Sequence, residues 1–138
     1  MKHLFLSFAI LFLSALSTHA KSGGPEAAPE ARDLVAQAMV ENQANHLAIY
    51  TKGLVCSSCG IGLRVHLKKL KGVDTSQLDK GVDLDAEKQL VLVAFKSASE
   101  IDPEGVREAI YKAGYDPAHY YLWNEQDGVT QTAYPVAQ

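Results

Sequence analysis

The pattern of apolar and polar positions predicts one compact region, from about Leu47 to Trp123. Runs of β-forming residues predict strands at 47–52, 82–85, 89–95 and 119–123. Leucines recur three and four positions apart after Cys59, which predicts a helix that ends near Gly72. Asp102 and Gly114 are typical start and stop residues for a second helix, and residues 115–117 are predicted as a loop.

The predicted order of elements is strand, helix, strand, strand, helix, strand. Two βαβ halves of this kind pair into a four-stranded antiparallel sheet with both helices on one face. The sequence therefore predicts an α+β fold, a ferredoxin-like βαββαβ sandwich.

The flanking segments are predicted to contribute less to the fold. Residues 21–46 are interpreted as a Gly- and Pro-containing linker followed by a helix over 30–44, which either docks on the domain or a partner or acts as a spacer. Residues 124–138 are polar, and we predict a loose C-terminal tail there.

The first 20 residues have the composition of a secretory signal peptide. Lys2 precedes an apolar stretch from Leu4 to Leu16, and small residues before Ala20 predict cleavage after that residue. The stretch is shorter than the roughly 20 residues that a membrane span requires, although an uncleaved anchor helix is the alternative. We expect a periplasmic or secreted protein with no membrane span in the mature chain.

The composition of the chain excludes several classes of function. The chain has 138 residues, 47% of them hydrophobic and 21% charged, which is typical of a globular protein. The net charge of −3 provides no basic field, so we expect no nucleic-acid partner. Two cysteines are too few for a scaffold of several disulfides, or for a four-cysteine metal site within one chain.

Both cysteines lie in one CxxC motif, formed by Cys56 and Cys59, between the first predicted strand and the first predicted helix. The N–H groups at a helix start favour thiolates. Two thiolates without further ligands suit a soft ion that accepts two-coordination, with Cu(I) as the leading candidate and Hg(II) as an alternative. Zn(II) prefers four ligands, so one CxxC motif would hold it incompletely.

The stretch from Gly53 to Cys59 resembles the GMTCxxC loop of the heavy-metal-associated (HMA) domain family, which includes copper chaperones and the periplasmic mercury-binding protein. The resemblance extends over roughly residues 47–123, and the family has the same βαββαβ fold. Further positions at the family's spacing are Leu63, Leu67, Leu70, Gly72, Val73, Pro103, Val106, Ile110, Gly114 and Tyr115.

The resemblance implies a role for five positions. Cys56 and Cys59 would be the metal ligands, Tyr115 would lie beside the metal loop, and Gly53 would allow the turn of the loop. Leu54 replaces a methionine that usually anchors the loop in the core, and leucine can fill that role. Val55 replaces a threonine, so a hydroxyl near the first ligand is lost, and the stretch Asp74–Val82 is longer than is usual in the family.

These observations predict a carrier rather than an enzyme, one that binds Cu(I) or Hg(II) and transfers it to a metal-transporting ATPase or another metal-handling protein. A monomer and a metal-bridged dimer both remain open. The alternatives are a thiol–disulfide oxidoreductase that uses the same CxxC motif, an inert disulfide, and an interaction module. His66 is expected on an exposed helix face, and His46 and His119 in a loop or at a strand edge, with no metal-binding role favoured for any of them.

Overall fold

The computed structural model describes residues 26–56, 58 and 60–136. The predicted signal peptide, Cys59 and Ser57 lie outside these residues. The elements in chain order are α1 (Pro29–Val40), β1 (His46–Lys52), α2 (Ile61–Leu67), β2 (Val82–Asp85), β3 (Leu90–Ala94), a short 3-10 helix (Ala98–Glu100), α3 (Pro103–Lys112), β4 (Asp116–Asn124) and β5 (Gly128–Ala133).

The strands form one antiparallel sheet in the order β2-β3-β1-β4-β5. β1 and β3 are central, and every residue in them except Lys52 is buried. Their long apolar runs follow from this position, because helices cover both faces of these two strands. The prediction of an α+β fold is therefore confirmed, while the predicted four-stranded sheet was wrong in its strand count.

The main core lies between the sheet and the pair α2 and α3. Alternate residues of β1 and β3, including Leu47 and Ile49, face Leu63, Leu67 and Ile110 from the two helices. Helix α3 begins as predicted, since the Asp102 carboxylate accepts a hydrogen bond from the Gly105 N–H at 3.0 Å.

Helix α1 covers the opposite face of the sheet, so the helices are not confined to one face. Its residues Ala36 and Val40 pack on Ala48, Tyr50 and other residues of the second core cluster. Of the alternatives that the sequence left open, the structure supports docking on the domain. The helix is also shorter than the predicted 30–44, because its backbone leaves the helical conformation at Glu41.

The predicted loose tail after Asn124 is also corrected. Residues 128–133 form β5, which pairs with β4 from His119↔Ala133 to Asn124↔Gly128. The Asn124 side chain accepts hydrogen bonds from the N–H groups of Gln126 and Asp127, which stabilises the turn between the two strands. After β5, Tyr134 is buried in the main core.

Two element boundaries also differ from the predictions. Helix α2 starts at Ile61 rather than at Cys59 and ends at Leu67, with turns continuing to Gly72. Strand β4 starts at Asp116, inside the predicted loop, because Lys52 and Thr51 of β1 pair with Asp116 and Pro117. No helix among the described residues combines the length and apolar character that a membrane span requires.

Candidate functional site

The loop that follows β1 is shaped by a glycine and anchored by a leucine. Gly53 has a φ of +86°, in the left-handed region that non-glycine residues rarely adopt. Leu54 comes directly after this turn, and its side chain is completely buried in the main core. The chain therefore leaves the sheet by a sharp turn, and the next side chain ties the loop to the core.

Beyond this anchor the loop returns to the surface. Val55 is exposed and Cys56 is half-buried. Cys56 is in the disulfide-bonded state, and its Sγ lies 3.5 Å from the Ser58 Oγ. A disulfide sulfur carries no hydrogen, so the serine hydroxyl is the donor in this contact. The predicted ligand Cys59 lies outside the described residues.

Ser58 belongs to the candidate site and was not predicted from the sequence. Val55 lies where the HMA family, which the loop resembles, usually has threonine, so the sequence predicted the loss of a hydroxyl near Cys56. The structure places another hydroxyl, that of Ser58, next to the Cys56 sulfur. Ser58 could have been identified from the sequence, because it lies within the CxxC motif itself.

Tyr115 lies beside the same turn. It follows Gly114, which ends the α3 segment with a φ of +90°, and its half-buried ring packs against the main core. A Cβ atom added to Gly53 would lie 3.8 Å from the Tyr115 Cδ1, so the ring is in contact range of the turn. The structure thus brings Tyr115 to the turn at Gly53, from which the chain continues through Leu54 to Cys56, and the roles of these residues toward a metal stay predictions.

The three histidines for which the sequence favoured no metal-binding role lie on separate elements. His66 is half-buried on α2, not on a fully exposed face. His46 and His119 are not loop or edge residues: His46 begins the central strand β1 and is buried, and His119 is half-buried within β4. Burial lowers the pKa of both His46 and His119, because it disfavours their charged forms.

His119 belongs to a polar cluster between the sheet and α1. The Tyr121 hydroxyl donates to the Asp33 carboxylate at 2.6 Å and accepts from the His119 Nε2 at 2.8 Å. The Arg32 guanidinium lies 3.9 Å from the centre of the Tyr50 ring, a cation–π contact. These contacts tie α1 to the sheet on the face opposite α2 and α3. Within the part of the chain that the structure describes, no three His, Cys, Asp or Glu residues are grouped to hold a metal ion.

Comparison with known proteins found similar solved structures. No protein-family model and no curated protein matches the chain. A CopZ metallochaperone is similar over 52% of this chain and 97% of its own, with 22% identity and a TM-score of 0.43. The yeast copper transporter domain CCC2A, solved in the apo and Cu(I)-loaded states, is similar over 52% of this chain and 89% of its own, with 24% identity and a TM-score of 0.42. At these identities and TM-scores, the likeness alone decides neither the family nor the function of this chain.

Proposed function

We propose that this protein is a soft-metal carrier that binds Cu(I) through the thiolates of Cys56 and Cys59 and transfers it to another metal-handling protein. The observation that carries the proposal is the anchored loop. Gly53 turns the chain, Leu54 is buried, and Cys56 returns to the surface two residues later. A ligand held in this way is positioned by the core and still accessible to a partner.

The donor set determines which ions the loop accepts. Two thiolates three positions apart in the sequence suit ions that are stable with two soft ligands, and Cu(I) satisfies that condition. Hg(II) has the same preference and is the alternative cargo. A single pair of thiolates leaves Zn(II) with two of its usual four positions unfilled.

Release of the ion needs no covalent catalysis. A partner's thiolate replaces one of the protein's thiolates on the ion, the ion keeps its oxidation state, and the displaced thiolate takes up a proton. A thiol reductant must first give two electrons and two protons to the disulfide at Cys56, and is itself oxidised to a disulfide, because only the thiolate binds the metal. The proposed carrier therefore has a reduced form that can bind the ion and an oxidised form that cannot.

Metal titration of the reduced protein tests the proposal. Cu(I) is added in the presence of a chelator of known affinity, and the wild type is compared with the double variant Cys56→Ser and Cys59→Ser. We expect one tightly bound Cu(I) per chain in the wild type and none in the variant. Equal affinity in both proteins would refute the assignment, and a parallel titration with Hg(II) ranks the two ions.

The same CxxC pair also fits a second candidate, a thiol–disulfide oxidoreductase, whose oxidised form has a disulfide at this position. Such an enzyme uses a CxxC pair to exchange electrons with substrate disulfides. An insulin-reduction assay with dithiothreitol distinguishes the two functions. Turnover well above the uncatalysed rate, lost in Cys56→Ser, would place the oxidoreductase first.

We also propose that the carrier works in the periplasm or outside the cell, after cleavage behind Ala20. The support is the sequence pattern of residues 1–20 alone. The mass of the protein recovered from the periplasmic fraction tests the cut, since retention of residues 1–20 would indicate an anchored form. Light scattering with and without one equivalent of Cu(I) separates a monomer from a metal-bridged dimer.

A further inference from the structure

Exposed apolar side chains lie around the candidate metal loop. Val55, which directly precedes Cys56, is 52% exposed, and Ile61, at the start of α2, is 65% exposed. Val65 is 37% exposed and lies one helical turn after Ile61, so both side chains project from the same side of α2. These three exposed apolar residues lie in the loop and in the helix that follows it.

The segment between α2 and β2, which is longer than expected, adds a fourth apolar residue. The Arg64 guanidinium donates to the Val82 carbonyl at 2.6 Å and forms an ion pair with the Asp79 carboxylate at 2.8 Å. These contacts hold the segment against α2. Leu78, next to Asp79 in the chain, belongs to this segment, and its side chain is 43% exposed.

Leu78 is also in an unfavourable backbone conformation. Its φ is +51°, in the left-handed region where a Cβ atom costs free energy and where glycine or asparagine is usual. Burial accounts for only part of the side chain, since much of it remains in contact with solvent. The Gly81 N–H donates to the Gln77 carbonyl at 2.8 Å and closes a turn around Leu78, which accounts for this φ. The feature that fits a contact outside the fold is therefore the exposed side chain.

Charged side chains are also present on α2 and directly after it. The Arg64 charge is paired with Asp79 within the protein. The exposed Lys68 and Lys69 follow the last residue of α2, about 10 Å along the axis from Ile61 at 1.5 Å per residue. Along α2 the exposed apolar side chains therefore lie nearer the loop and these two lysines lie at the far end, while Lys52, on the β1 side of the loop, and Lys80, beside Asp79, are also exposed.

We infer that Val55, Ile61, Val65 and Leu78, the loop–α2 patch, form the docking surface for the protein that exchanges metal with Cys56, and that this partner presents an apolar face around its own thiolates. The inference rests on the proposed function. A partner thiolate must reach bonding distance of an ion held by Cys56, so the partner's surface must cover the side chains that flank the loop. Covering apolar side chains is favourable only when the opposing surface is itself largely apolar.

Cu(I) transfer to synthetic acceptors tests the partner's chemistry. The acceptors are two peptides with the same CxxC core, one flanked by leucine and valine and the other by glutamate, matched in Cu(I) affinity. We expect the reduced, Cu(I)-loaded protein to transfer its ion about tenfold faster to the apolar peptide, with a rate that changes little between low and high salt. Faster transfer to the glutamate peptide, slowed by salt, would overturn the inference and indicate an acidic partner.

Variants of the patch separate docking from folding. Ile61→Ser is expected to remove most of the preference for the apolar peptide, whereas the control Lys69→Glu, at the far end of α2, leaves it unchanged. Leu78→Gly is the sharper test, because glycine relieves the backbone strain while it removes the side chain. We expect an unchanged or higher melting temperature together with slower transfer.

The outcomes distinguish this inference from the function on which it rests. A normal Cu(I) titration with transfer rates that do not respond to Ile61→Ser or Leu78→Gly overturns the docking surface alone. A lower melting temperature in Leu78→Gly with transfer unaffected assigns Leu78 to the fold and also overturns it. A reduced wild-type protein that binds no Cu(I) overturns both proposals.

Discussion

Replacing Leu54 by alanine separates anchoring of the metal loop from general stability. The Leu54 side chain is completely buried in the main core, directly beside the turn at Gly53. Substitution of a buried leucine by alanine costs about 2–5 kcal/mol, through lost burial and the cavity that remains. Domains of this kind are stable by about 5–15 kcal/mol, so we expect the variant to fold at 25 °C with reduced stability.

Part of that cost should appear as weaker metal binding. If restoring the position of the loop on metal binding takes about 1.4 kcal/mol of the free energy lost by the substitution, the Kd for Cu(I) increases about tenfold. The matched control is Leu67→Ala, because Leu67 is equally buried in the same core but lies at the end of α2 away from the loop. We expect a similar loss of stability in the control and a Kd within about twofold of the wild type.

Urea denaturation of the reduced proteins measures the free energy of unfolding, and chelator competition measures the Kd for Cu(I). Leu54→Met provides a third arm, since methionine has a similar volume and should keep both quantities near the wild-type values. Equal weakening of the Kd in Leu54→Ala and Leu67→Ala would refute the anchoring argument, because the effect would then follow stability alone.

Three further predictions concern the turn, the α1 face and pH. Gly53→Ala is expected to lower the free energy of unfolding by about 1 kcal/mol or more, because alanine is strained at a φ of +86°, as urea denaturation can measure. Tyr121→Phe removes the hydroxyl that donates to Asp33 and should cost about 1–2 kcal/mol, with faster amide exchange confined mainly to α1; uniform exchange would contradict the assigned contact. Burial lowers the pKa of His119, so the unfolded chain binds a proton more readily than the folded one, and the melting temperature should fall as pH drops below about 6.5 and be unaffected by His119 above it. His119→Gln should reduce that fall, and an identical pH profile in both proteins would show that His119 does not cause it.

Local sequence patterns were sufficient to predict the elements that are buried on one side or along their whole length. The leucines of α2, the apolar run of β3 and the cap formed by Asp102 each have a distinctive local pattern, and the structure contains all three elements. The boundaries were less well predicted, because they depend on pairing between distant residues. β4 begins at Asp116 since Lys52 pairs with it across the sheet, and no local pattern around Asp116 records that contact.

The polar edge strand β5 was difficult to predict from the sequence. The first three residues of β5 are half-buried and the last three are exposed, with no alternation, and threonine and glutamine supply most of its middle, so hydrophobic periodicity is weak there. Two signals were nevertheless present: Asn124, whose side chain stabilises the turn, and Gly128, with a φ of +70°. An edge strand obtains its stability from hydrogen bonds to one neighbour and from Tyr134 beyond its end, which is a property of the whole sheet.

The α+β order of elements and the CxxC motif that nominates Cys56 as a ligand could be predicted from the chain alone, because periodicity and spacing are local properties. The position of α1 on the second face of the sheet could not be predicted, because its weak apolar pattern is completed by contacts such as that between Asp33 and Tyr121, far apart in the chain. The same holds for the environment of the metal loop. The burial of Leu54 and the proximity of the Tyr115 ring to Gly53 arise where the ends of separate elements meet, and chain order does not specify that arrangement.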